Sequence, residues 1–202
     1  MPFGREFPLA AFPALLLLQS PHMSNHSPAP MLVLIGFMGA GKSTLGDLLA
    51  TRLACPLADL DAEIARIHGP IPELFAARGE SGFRAIEHHQ LDLILPALQR
   101  PSILALGGGA FLQPANRQLL DRHAATTIFL DAPFEVLYAR IAGAAHQRPL
   151  AADYDRLRAL YEQRRPTYLL AHHTVDASAD DPAAVLTPLV HLAHRLGVRD
   201  TL

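Results

Sequence analysis

Leu32-Val-Leu-Ile-Gly-Phe-Met-Gly-Ala-Gly-Lys-Ser-Thr44 decides how the rest of this chain is read. Its first four residues are a short apolar run suited to a buried parallel strand. Gly36 to Thr44 then match G-x-x-x-x-G-K-[ST], and helical spacing follows at Leu45, Leu48, Leu49 and Leu53. A strand, a glycine-rich turn and a helix form the context in which this pattern acts as a phosphate loop. The glycines let backbone N–H groups turn inward around an anion, and the helix N-terminus adds partial positive charge at the same point. Lys42 would reach the β- and γ-phosphates of a nucleotide, and the Ser43 hydroxyl would ligate Mg²⁺. Gly39, Ala40, Gly41 and Thr44 complete the cradle. A dinucleotide fingerprint does not fit, because Thr44 stands where the third glycine of G-x-G-x-x-G, counted from Gly39, belongs. Lys42 is also the only lysine in the chain; arginine supplies the rest of the positive charge.

Working outward, strand and helix signals alternate. Strands are predicted at 56–60, 102–106, 126–130 and 173–176. Helices are predicted at 43–53, 61–68, 71–77, 82–95, 133–141, 153–170 and 182–196. Strands separated by helices imply an α/β fold, with a parallel sheet covered on both faces. At 202 residues the chain fits one such domain plus a short appendage. Residues 31–202 are read as that domain. Residues 1–30 differ: an apolar stretch from Leu9 to Leu18 is broken by Pro13 and followed by a polar Ser/His/Pro/Asn segment. The stretch is too short to span a membrane, and no small-x-small cleavage site follows it. Met23 and Met31 offer later starts. The expectation is a disordered extension or an over-long start.

Half the residues are hydrophobic and 18% are charged, which excludes disorder along the whole chain. A net charge of −2 gives no basic excess for a nucleic-acid backbone. The single cysteine, Cys55, excludes an intramolecular disulfide and a cysteine-cluster metal site. The eleven histidines invite a metal-hydrolase reading, but His88-His89 and His172-His173 are adjacent pairs that point apart. A cytoplasmic monomer with a small-molecule substrate, and neither membrane nor nucleic-acid partners, is expected.

A phosphate loop does not say what receives the phosphoryl group. The strand at 102–106 ends in Gly107-Gly-Gly109, with no carboxylate there. Three glycines at the carboxyl edge of a sheet would let a ligand approach the backbone closely, although a plain turn has the same composition. Asp59 and Asp61 follow the second strand. With an alternation of two they would point the same way, one helping to hold Mg²⁺ and the other orienting an acceptor hydroxyl. Helix capping, with Asp61 as the cap, explains them equally well. Arg84, with Glu87 three residues on to brace it, and Arg148 and Arg164 are planar forks suited to carboxylate or phosphate. Singly, each reads as a solvated surface charge.

Together these pieces resemble the shikimate kinase family over about residues 32–195. The resemblance rests on Gly-Phe-Met-Gly-Ala-Gly-Lys-Ser-Thr (36–44), Asp-Leu-Asp (59–61), Gly-Glu-Ser-Gly-Phe-Arg-Ala-Ile-Glu (79–87), Gly-Gly-Gly (107–109), Arg-Pro-Leu (148–150) and Arg-Arg-Pro-Thr-Tyr (164–168). It implies a three-layer P-loop kinase fold with a five-stranded parallel sheet and a mobile lid. It also implies transfer of the ATP γ-phosphoryl group to the 3-hydroxyl of shikimate. Carried over by position, Asp61 would bond the acceptor hydroxyl, and Asp59 would support Mg²⁺ beside Ser43. Arg84 and Arg164 would clamp the shikimate carboxylate, with Gly107, Gly108 and Gly109 along the ring. Lys42 and Arg148 would meet the transferring phosphate, and Arg140 would contact ATP. The alternative is another small P-loop kinase, acting on gluconate or nucleoside monophosphates, and the Phe-Arg-x-x-Glu and Gly-Gly-Gly pieces argue against both. A non-catalytic relative would be expected to have lost Lys42, Asp61 or the arginines, all of which are present.

Overall fold

The computed structural model describes residues 29–144 and 151–199. The sequence expectations for the first 28 residues and for Arg-Pro-Leu (148–150) therefore lie outside the described residues. Five parallel strands are ordered β2-β3-β1-β4-β5. They are β1 (Met31–Ile35), β2 (Leu57–Asp59), β3 (Ser102–Ala105), β4 (Ala125–Asp131) and β5 (His173–Asp176). β1 lies between β3 and β4, pairing Met31 with Ser102 on one side and with Ala125 on the other. Every residue of β1 is buried, so an unbroken apolar run is what this central position requires.

The helices are α1 (Lys42–Leu53), α2 (Leu60–His68), α3 (Ile71–Ala97), α4 (Pro114–Arg122), α5 (Phe134–Ala144), α6 (Ala151–Tyr168) and α7 (Pro182–Arg195). α1 buries Leu45, Leu49 and Leu53, one face at a spacing of four. It packs on β3 and α7. The two helices expected at 71–77 and 82–95 are two arms of α3, broken at Gly79, whose φ of 66° ends the first arm. α4 and the 3₁₀ turn Ala110–Leu112 before it have no counterpart among the predicted elements. α4 has few apolar residues, and only Leu119 and Leu120 among them are buried, so periodicity is faint. Its proline at the first helical position was the available signal.

β1 has one neighbour reached through β2 and α3 and the other through α4, so the chain winds away from it in both directions. The crevice beyond the carboxyl ends of β1 and β3 is where ligands bind in such sheets. The loops after β1, β2 and β3 all open there.

Candidate active site

Backbone geometry builds the phosphate cradle first. Gly36, Gly39 and Gly41 hold φ values of 150°, 79° and 82°, conformations that residues with a Cβ avoid. Gly41 caps α1 in the left-handed region, which turns the first N–H groups of the helix toward the loop. Lys42 Nζ donates to the carbonyls of Gly36 and Phe37, both at 3.0 Å. Burial lowers its pKa to about 8, against the opposing pull of Asp61 and Asp59. The ammonium is thus held inside the cradle by the two carbonyls.

The two aspartates reach the same cavity by different routes. Extended backbone ends at Asp59, so strand alternation does not relate it to Asp61. Asp59 is the N-cap of α2, accepting from the Ala62 N–H at 3.1 Å, and its other oxygen accepts from Ser43 Oγ at 2.5 Å. The capping expected of Asp61 thus belongs to Asp59. Asp61 sits in the first turn of α2, its carboxylate packed so closely under Gly107 that a methyl group there would overlap it. Burial raises the Asp61 pKa, with the Asp59 charge adding to the effect and Lys42 and Arg84 opposing it.

A cavity of about 590 Å³ is lined by the loop from Met38 to Leu45, by Asp59, Asp61 and Gly108, and on the far side by Arg140 and Asp180. Arg140 donates to the carbonyls of Ala177 at 2.9 Å, Ser178 at 3.3 Å and Ala179 at 2.6 Å. It therefore pins the segment after β5 as a wall of the cavity. That wall, including Asp180, Pro182 and Val185, was missed in the sequence because it has no motif.

Arg84 stands beside this cavity on the second arm of α3. Its Nη1 donates to both oxygens of Glu87 at 2.9 Å, the brace expected from the spacing. Phe83 and Phe75 lie under the guanidinium, 5.3 and 6.0 Å from its carbon, and Glu80 is a weak partner at 3.5 Å. Tyr168, at the end of α6, is fully buried, stacks on Phe129 and donates its hydroxyl to the Gly108 carbonyl. Burial pushes its pKa up to about 12, and both Arg164 and Arg84 are electrostatic neighbours that oppose the rise. Tyr168 thus joins the two arginines to the Gly107–Gly109 turn. Arg164 also lines a second cavity of about 320 Å³ with Glu80, Leu112 and Thr167. The histidine pairs are divided: His88 bonds Asn116 and His172 bonds Thr127, so one member of each pair serves the fold.

The family model for shikimate kinase matches residues 38–193. The chain belongs to the shikimate kinase family. The chain is 40% identical to the shikimate kinase of Salinibacter ruber over 168 residues, 77% of this chain and 81% of that one. It is also 40% identical to that of Lactococcus lactis subsp. cremoris over 157 residues, 76% of this chain and 92% of the relative. Among solved structures, shikimate kinase from Acinetobacter baumannii in complex with shikimate matches with a TM-score of 0.74 and 31% identity, covering 85% and 96% of the two chains. The Bacteroides thetaiotaomicron shikimate kinase gives 0.73 and 32%, covering 82% and 98%. A gluconokinase from Sinorhizobium meliloti, at 0.59 and 20%, shares the fold. The three-layer P-loop kinase fold of the family is therefore the fold of this shikimate kinase homologue. No helix among the described residues is long and apolar enough to cross a membrane.

Proposed function

We propose that the protein is a shikimate kinase that moves the γ-phosphoryl group of ATP to the 3-hydroxyl of shikimate. The observation that supports this acceptor most is the pair of guanidinium groups that share Tyr168, Arg84 and Arg164, the first of them also a charge neighbour of Asp61. A small triol acid needs a carboxylate anchor at one end and a hydroxyl acceptor at the other. The arginines are the anchor; Asp61 takes the hydroxyl.

In this mechanism the acceptor oxygen bonds to the γ-phosphorus as the bond to the β,γ-bridging oxygen breaks, and ADP leaves. The hydroxyl proton passes to the Asp61 carboxylate, whose raised pKa makes it a better proton acceptor than a solvated aspartate. Lys42 offsets charge on the phosphates, and Gly39 to Thr44 fix their position. Gly107 to Gly109 bring backbone against the acceptor ring. Arg140 holds the nucleotide wall, and Arg148 is assigned to the transferring phosphate.

Ser43 Oγ and Asp59 Oδ2, 2.5 Å apart, are a hard-oxygen pair at the lip of the cradle and suit Mg²⁺. Bound there, the ion would neutralise phosphate charge. The protein is read as cytoplasmic and monomeric, with ATP and shikimate as its small-molecule partners and residues 1–30 outside the working domain. A panel of acceptors with ATP and Mg²⁺ tests the reading. Shikimate should support ADP release, and gluconate and nucleoside monophosphates should not; turnover of either rival in place of shikimate would refute it.

A further inference from the structure

Three side chains on α3 face the segment that follows the glycine turn. Arg84, Glu87 and His88 lie three and four residues apart, hence on one side of the helix. Opposite them, Gln113 Nε2 donates to Glu87 at 2.9 Å. Asn116 Oδ1 lies 2.6 Å from His88 Nδ1, and Asn116 Nδ2 donates to the Ala110 carbonyl at 2.9 Å. Since the amide nitrogen serves Ala110, the amide oxygen is the acceptor, and His88 Nδ1 must carry the proton.

Asn116 is fully buried, and both ends of its amide are used. One end holds α3 one turn beyond Arg84. The other holds the peptide of Ala110, whose N–H closes the glycine turn on Gly107 at 3.1 Å. Gly109 packs directly against the Arg84 guanidinium. The width of the acceptor cleft at this point is the separation between α3 and the glycine turn, and Asn116 bridges the two behind it.

We propose that Asn116 is a positioning residue for the acceptor: linked to His88, it sets the distance between the Arg84 guanidinium and the backbone of Gly107–Gly109. Removing the amide leaves the buried Ala110 carbonyl and the half-buried His88 imidazole N–H without these partners, and the turn is free to shift away from α3. Displacements of about an ångström outside the reacting atoms can change rates by one to two orders of magnitude. The nucleotide side of the cavity does not depend on this link, so ATP use should not change.

The inference rests on the shikimate reading of the cleft, and wild-type turnover with shikimate is its control. Asn116→Ala, His88→Ala and the double variant are compared by steady-state kinetics and thermal melting. Asn116→Ala is expected to raise the shikimate KM about tenfold, with the ATP KM unchanged. His88→Ala should move it the same way by less, and the double variant should be no worse than Asn116→Ala, because both act through one link. Equal changes in both KM values would overturn the proposal, as would a fall in melting temperature with neither KM altered. Should Asn116→Ala fail to fold, His88→Ala decides alone, and an unchanged shikimate KM overturns it. A wild type inactive toward shikimate would instead sink the reading of the cleft, and this inference with it.

Discussion

Gly109 is packed against Arg84 so tightly that a Cβ on the glycine would fall within the guanidinium group. The backbone there is ordinary, with φ −104° and ψ −14°, so the constraint is space and not conformation. Gly107 has the same relation to the Asp61 carboxylate. These two glycines keep room for the groups assigned to the acceptor.

Gly109→Ala should therefore displace Arg84 and leave the fold intact, because the obstructed atoms are the far end of a flexible side chain. The shikimate KM is expected to rise about tenfold, with the ATP KM within about twofold of wild type. Gly107→Ala should lower kcat instead, by moving Asp61. Identical kinetic profiles for the two variants would contradict these separate roles.

Arg84→Ala should raise the shikimate KM by about two orders of magnitude and the ATP KM far less, since a charge-assisted fork to a carboxylate is lost. Arg84→Lys should rescue little, because an ammonium has no planar face to lie over Phe75 and Phe83 and no second nitrogen left for a carboxylate once one bonds Glu87. An equal effect on both substrates would remove Arg84 from acid binding.

Lys42→Ala is expected to lower turnover about a thousandfold or more, comparable to losing a preorganised charge at a transferring group. Circular dichroism should show a folded protein. Near-normal ADP release by that variant would remove Lys42 from the reaction.

The Lys42 pKa of about 8 sets a pH dependence. Below that value the ammonium is present to meet the phosphates; above it, nucleotide binding must take up a proton. ATP affinity should fall as pH rises through about 8, with proton uptake measurable by calorimetry in buffers of differing ionisation enthalpy. For stability the sign is opposite. The folded state holds this proton less tightly than the unfolded chain, so the apoprotein gains stability as pH rises from about 8 toward the ordinary lysine value of 10.5. Affinity that is flat across this range would contradict the assignment.

How much of this was legible in sequence depended on whether the signal was local. The loop from Gly36 to Thr44 is contiguous, so motif and mechanism coincide. The Arg84–Glu87 pair follows from helical spacing. Asp59 and Asp61 were rightly grouped for a wrong reason: the strand ends between them, and the start of α2 brings Asp61 round to the cavity. Arg140 and Tyr168 were named only through the family resemblance and Asn116 not at all, because their bonds to backbone carbonyls leave no local pattern. Two of those partners, at Ala177 and Gly108, are distant in the chain. In the sequence the histidine pairs served only to argue against a metal site. His172, however, accepts the N–H of buried Thr127 at 3.0 Å, just before β5 begins to pair. His172→Ala should cost about 1–3 kcal/mol in denaturant unfolding with kcat unchanged; loss of kcat without loss of stability would contradict it.

On the proposed reading, shikimate is held by Arg84 and Arg164 with one hydroxyl directed at Asp61 and the phosphate cradle. The most direct measurement is phosphorus and proton NMR of the product formed from ATP and shikimate, read beside ADP release. One ADP per shikimate consumed and phosphate on the 3-hydroxyl alone are expected. ADP release that does not require shikimate, or phosphate on another of its hydroxyls, would contradict it.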